Sequence, residues 1–142
     1  MLYFSSTHFI TTYGVIFWGN SPYSIKIFKI SKKIIRIITN LRKRDSYRNI
    51  LKRTKILPFY SQYIFSLLIH IVDNRHLFIT NQAIHNINTR SNLKFHIPSS
   101  NLTKFQKWVD YSGIKLFSHR PSHIKSFSDD TKFFRTILKK FL

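Results

Sequence analysis

Between Ile27 and Leu41 the apolar residues Ile27, Ile30, Ile34, Ile37 and Leu41 recur every three or four positions, the period of one face of an α-helix. With successive side chains turned by about 100°, Lys26, Lys29, Lys32, Lys33 and Arg36 gather on the opposite side. Arg42, Lys43 and Arg44 carry the charge past the end of the pattern. The segment therefore predicts a helix with an isoleucine face in the core and a cationic stripe facing outward. Ser21 is placed to cap it, with Pro22 at the first helical position, where a missing N–H costs nothing.

The same period recurs elsewhere. Ser5 and Ser6 precede a first helix that puts Phe9, Ile10, Tyr13, Phe17 and Trp18 on one face and ends at Gly19-Asn20-Ser21-Pro22. Asp45 or Ser46 caps a short third helix bearing Tyr47, Ile50 and Leu51, which stops before Pro58. A fourth begins near Pro58, carries Tyr60, Tyr63, Ile64, Leu67, Leu68 and Ile71, and ends at Asp73-Asn74. Residues 80–101, rich in Asn, Ser, Thr and His and interrupted by Pro98, read as an irregular connection or a strand pair. From Phe105 to Phe117 no period dominates, and Tyr111-Ser112-Gly113 suggests a turn. Asp129 or Asp130 caps a terminal helix with Phe133, Phe134, Ile137, Leu138 and Phe141, whose negative end carries Lys139 and Lys140. The expected fold class is mainly α, a small helical domain of about four to five helices with an irregular Asn/Ser-rich middle segment. The expected division is a helical region over 1–78 and a C-terminal extension over 79–142, holding the irregular segment and the terminal helix.

Charge limits the partners. The 142 residues include 24 Lys and Arg against 5 acids, all Asp, for a formal net charge of +19. Without Glu there is little material for helical ion pairs, so most cations need an external counter-charge, and a polyanion is the expected ligand. Apolar residues at 43% and aromatics at 16% separate the chain from disordered, highly charged sequences, so a folded core is expected. The absence of Cys excludes disulfides, thiolate nucleophiles and zinc ribbons. The apolar runs Phe9–Trp18 and Tyr63–Val72 are each about half the ~20 residues of a spanning helix, so no transmembrane segment is expected. No cationic stretch with an apolar core and cleavage site follows Met1, so no secretory signal is expected either, and an intracellular location, nucleus or cytoplasm, follows.

No complete catalytic site is expected, although a Ser-His-Asp arrangement assembled across the fold stays open to a sequence of this kind. Phe127-Ser128-Asp129-Asp130 has the aromatic-x-Asp-Asp form of a polymerase metal turn, but two-metal chemistry needs a further carboxylate on a neighbouring strand, and here a terminal amphipathic helix follows at once, so capping is the expected role. His119 and His123 have ligand spacing, yet Pro121 between them argues against the continuous helix that would align the rings. His70, His76, His85 and His96 suggest no ligand cluster, and there is no nucleophile elbow, phosphate loop or dinucleotide fingerprint. No metal, cofactor or small-molecule substrate is expected. Oligomeric state is left open.

The order of the segments resembles the C-terminal region of insect-type, jockey-like non-LTR retrotransposon reverse transcriptases, beyond the palm, over nearly the whole chain. It rests on Tyr13-Gly14-Val15-Ile16-Phe17-Trp18-Gly19, Lys32-Lys33-Ile34-Ile35-Arg36-Ile37-Ile38, Leu41-Arg42-Lys43-Arg44-Asp45-Ser46 and Ile56-Leu57-Pro58. Asn88-Thr89-Arg90, Tyr111-Ser112-Gly113-Ile114-Lys115 and the closing Lys- and Phe-rich helix continue it. Against that pattern, Ser31 replaces a polar amide, Asn40 a glycine, Tyr47 a cysteine, Trp108 a glycine and Arg120 an apolar residue. The resemblance makes residues 1–78 thumb-like and turns Lys26, Lys29, Lys33 and Arg36 toward a template duplex. Because the likeness begins at the lead-in to the first thumb helix, without fingers, palm or endonuclease, it implies a truncated or decayed fragment that binds RNA, DNA or their hybrid without polymerising. Two other classes share the composition: a structural RNA-binding protein of organellar ribosomal type, and a basic protein that adsorbs to membrane surfaces.

Overall fold

The computed structural model describes residues 12–40, 42, 45–54, 56–86, 94–121 and 130–142, and among these the chain is mainly helical with no strand. The helices are α1 (Val15–Trp18), α2 (Ser24–Ile38), α3 (Tyr47–Thr54), α4 (Phe59–Asp73), α5 (Asn81–His85), α6 (Thr103–Gln106), α7 (Val109–Ser118) and α8 (Thr131–Phe141), with a 3-10 turn at Arg75–Leu77. They form two compact units, Met1–Ile64 and Phe65–Leu142, and α4 contributes residues to both.

In the first unit α2 and α3 share a cluster of Ile35, Leu51 and Ile56, with Ile34, Tyr47 and Ile50 packed around it. Leu51, Tyr47 and Ile50 are the residues that the period of α3 picks out. Trp18 stacks on Phe59, ring centroids 5.3 Å apart, and Phe28 meets Tyr60 at 5.4 Å. Gly19 lets the end of α1 approach Tyr63 of α4, because a Cβ there would run into the Tyr63 ring and lie 2.5 Å from the Val15 carbonyl oxygen.

Two faces differ from expectation. On α2 the buried positions are Ser24, Ser31 and Ile35, whereas Ile30 is 56% and Ile37 67% exposed. Ile27 and Ile34 are half-buried and Leu41 lies outside the described residues. The buried face is thus rotated by roughly 100° from the one that the Ile27-Ile30-Ile34-Ile37 spacing selects. The helix also carries Ile25, Ile35 and Ile38, so its apolar residues fit several stripes, and two small serines complete the true one. A serine hydroxyl inside a helix can bond the carbonyl one turn back, which makes it a cheap polar residue to bury. Around α1, Val15 is buried while Tyr13 and Phe17 face solvent. Of the aromatic face predicted there, Trp18 alone among the described residues is partly covered, and Ser5, Ser6, Phe9 and Ile10 lie outside them.

The second unit is organised by the remainder of α4, where Leu67, Leu68 and Ile71 have no exposed surface. Ile71, Phe95 and Ile114 make its core with Phe78, Ile97 and Phe117. Phe95 is brought in by one antiparallel bridge to Thr80, flanked by Asn81 N–H to the Lys94 carbonyl at 2.9 Å and His96 N–H to the Ile79 carbonyl at 2.8 Å. Among the described residues of the 80–101 segment, a single bridge and the short α5 stand where an irregular connection or strand pair is expected, residues 87–93 lying outside them, and Asn86 ends α5 in the left-handed conformation, φ 53°. Tyr111-Ser112-Gly113 is not a turn but the middle of α7. Asp130 caps α8, accepting from Lys132 N–H at 3.0 Å and Phe133 N–H at 3.2 Å. Phe134 and Leu138 of α8 are fully buried, while Phe133 and Phe141 are half exposed.

Candidate nucleic-acid interface

The cationic helix is held at both ends by local bonds. The Ser21 hydroxyl accepts from Tyr23 N–H at 3.1 Å and the Ser21 carbonyl from Ser24 N–H at 3.0 Å, but these bonds close a turn ahead of α2, whose N-cap is Tyr23 without a side-chain cap, so Ser21 does not cap the helix and Pro22 precedes it. At the other end the Thr39 hydroxyl donates to the Ile35 carbonyl at 2.6 Å, and Asn40 takes a left-handed conformation, φ 50°. Asparagine is, after glycine, the residue best suited to that position.

The eight candidate residues divide into three groups. Lys26, Lys29 and Lys33 are exposed on one side of α2, and with a rise of about 1.5 Å per residue they spread along some two turns of the axis. Lys32 and Arg36 are half-buried. The Lys32 ammonium lies 5.6 Å from the Tyr47 ring centroid, and the Arg36 guanidinium donates to the Asp45 carbonyl at 3.5 Å, so both hold α2 to the segment that follows it. Arg42 is exposed, and Lys43 and Arg44 lie outside the described residues.

Asp45, the acid nearest in sequence, closes the turn instead of neutralising a lysine. Its carboxylate accepts from Arg42 N–H at 2.9 Å, and its own N–H donates to the Arg42 carbonyl at 3.1 Å. The other described acids are also engaged: Asp73 with Arg135 at 2.9 Å, Asp110 with His70 at 3.2 Å, and Asp130 with the start of α8. These described carboxylates thus serve internal geometry, and none of them forms an ion pair with Lys26, Lys29 or Lys33.

One feature of this face was hidden from the spacing argument. Tyr23, Ile30 and Ile37, at i, i+7 and i+14, are exposed beside the lysines, and the Lys26 ammonium sits 5.4 Å from the Tyr23 ring. The signal that could have revealed it was the seven-residue step from Ser24 to Ser31, the true buried line. Arg120 makes a cation–π contact: its guanidinium lies 5.5 Å from the Phe141 ring, and burial lowers its pKa from the ordinary value.

Among the described residues no group of three or more His, Asp or Glu side chains could hold a metal ion. His85 and His96 come within 5.6 Å, ring to ring, and His119, with Nδ1 2.7 Å from the Lys115 carbonyl, has its sequence partner His123 outside the described residues. No described helix is long and apolar enough to cross a membrane. No protein family, curated protein or solved structure matches the chain.

Proposed function

We propose that this chain is a non-catalytic nucleic-acid-binding segment, similar to the thumb and C-terminal region of jockey-like retrotransposon reverse transcriptases, which grips RNA, DNA or their hybrid through phosphates. The observation that carries the reading is the pairing of three exposed lysines on α2, Lys26, Lys29 and Lys33, with carboxylates that are all committed elsewhere among the described residues. Phosphate contacts of this kind fix position without reading bases, so little sequence preference is expected. Asp130, the one described residue of the aromatic-x-Asp-Asp sequence, serves as a helix cap, which supports a role without catalysis. Fluorescence anisotropy with labelled RNA and DNA over a salt series tests the proposal, and binding that ignores salt would sink it. Copy number bears on the origin: an element remnant is repeated in its genome, whereas an organellar ribosomal protein is encoded once.

A membrane-surface reading has one observation in its favour, the exposed Tyr23, Ile30 and Ile37 beside the lysines. Vesicles containing anionic lipid, set in competition with RNA, separate the two readings. Release of bound RNA by the vesicles at matched charge would favour the membrane.

A further inference from the structure

A second surface, in the Phe65–Leu142 unit, has the makings of a different contact. Residues 101–108 are exposed without interruption, and within them Leu102, Phe105 and Trp108 recur at three-residue steps. Phe105 and Trp108 are stacked, centroids 5.8 Å apart and planes 21° from parallel, yet Trp108 remains 59% and Leu102 61% exposed. The rings border a cavity of about 500 Å³ that Pro98, Asp110 and Tyr111 also line. A cleft of this size is in the range that holds a small planar group. Lys104 and Lys107, one helical turn apart and both exposed, alternate with the aromatic residues.

We infer that this aromatic shelf is a stacking site for an unpaired base of single-stranded nucleic acid, with Lys104 and Lys107 meeting the phosphates on either side. The inference rests on the nucleic-acid reading above and extends it from duplex backbone to single strand. A stacked, exposed ring pair offers a π-face to any base, and cations interleaved with aromatics match the alternation of phosphate and base along a strand. Asp110 decides what enters the cavity. Its carboxylate, 3.2 Å from His70, disfavours a phosphate there and leaves the uncharged base as the occupant, while the phosphates stay with the lysines. A proline-rich peptide would also suit an aromatic groove, but it lacks the charge that Lys104, Lys107 and a net +19 call for.

The test uses the full chain with Trp18→Phe, which keeps a ring against Phe59 and leaves Trp108 as the only indole. Oligouridylate of about twelve nucleotides, long enough for a typical single-strand site, should quench Trp108 emission to saturation, and a DNA duplex of the same length should quench it much less. In the unmodified chain, Trp108→Ala should weaken oligouridylate binding by roughly five- to hundred-fold and leave duplex binding within about twofold. If oligouridylate binds by anisotropy without quenching Trp108, and Trp108→Ala binds it as tightly, the shelf is not the site although the nucleic-acid reading survives. If neither oligouridylate nor duplex binds, both readings fall. Quenching by a proline-rich peptide with none by oligouridylate would make the shelf a peptide groove and overturn the inference.

Discussion

Gly113 lies so close to Ile71 that a Cβ placed on it would be 2.7 Å from Ile71 Cγ1 and 2.8 Å from Cδ1. The glycine is in mid-helix, where alanine is ordinarily better by about 1 kcal/mol, so its presence reflects the approach of α7 to α4 rather than any turn. Gly113→Ala is therefore expected to lose more by overpacking than it gains in propensity, for a net destabilisation of about 1 kcal/mol in urea unfolding. Because the opposing atoms belong to one side chain, Gly113→Ala and Ile71→Ala should be non-additive, with the double variant more stable than the sum of the singles by at least ~1 kcal/mol. Additivity within error would mean that the two helices are not in this contact.

The rotation of α2 makes an opposite prediction for neighbouring isoleucines. Ile35, almost fully buried against Leu51 and Ile56, should cost about 2–5 kcal/mol on truncation to Ala. Ile30→Ala and Ile37→Ala, at exposed positions, should each stay within about 0.5 kcal/mol of the parent. Equal losses at the three positions would restore the face that the simple Ile27-Ile30-Ile34-Ile37 period selects.

These contrasts mark where sequence logic held and where it failed. α4 was legible from Pro58 to Asp73 because it is a long apolar run that a proline and an Asp-Asn pair punctuate, although Tyr60 of its expected face is exposed and Phe59, Ile69 and Val72 are buried as well. α8 was legible because one carboxylate stands at its start and both lysines at its end. In α2 the existence of the helix followed from the same rules, but its start, at Ser24 instead of Pro22, and its orientation did not, since isoleucines occur on several sides and tertiary packing chose the side with serines. For α7, a glycine chosen by a helix crossing looked like a turn residue, a distinction that local sequence cannot make. At the candidate interface, charge alone pointed to α2, while the separation of exposed Lys26, Lys29 and Lys33 from half-buried Lys32 and Arg36 depended on Tyr47 and Asp45, which arrive from the following segment.

The terminal helix offers a test of the Asp130 assignment. Replacing Asp130 by Ala removes the acceptor for Lys132 and Phe133 N–H and should cost about 1 kcal/mol, whereas Asp130→Ser, which keeps a cap oxygen, should recover most of it. Primer extension with magnesium or manganese is expected to be absent before and after either change. Templated synthesis that vanishes with Asp130→Asn would instead return this residue to catalysis, because Asn preserves the cap and removes the charge.

The salt dependence of duplex binding gives the most quantitative prediction. Each lysine that neutralises a phosphate of B-form DNA releases counterions and adds about −0.9 to the slope of log affinity against log salt. If Lys26, Lys29 and Lys33 each make one such contact, changing the three to Gln should flatten the slope by roughly 2.7. The buried line of Ser24, Ser31 and Ile35 is untouched by these changes, so the helical circular-dichroism spectrum and the unfolding midpoint should be preserved. Lys32→Gln and Arg36→Gln provide the contrast. Their side chains are half-buried against Tyr47 and the Asp45 carbonyl, so they should affect stability more than slope. A folded triple variant with the parental slope would exclude this face of α2 from the nucleic acid, and a slope lost only with Lys32 and Arg36 would move the contact to the other side of the helix.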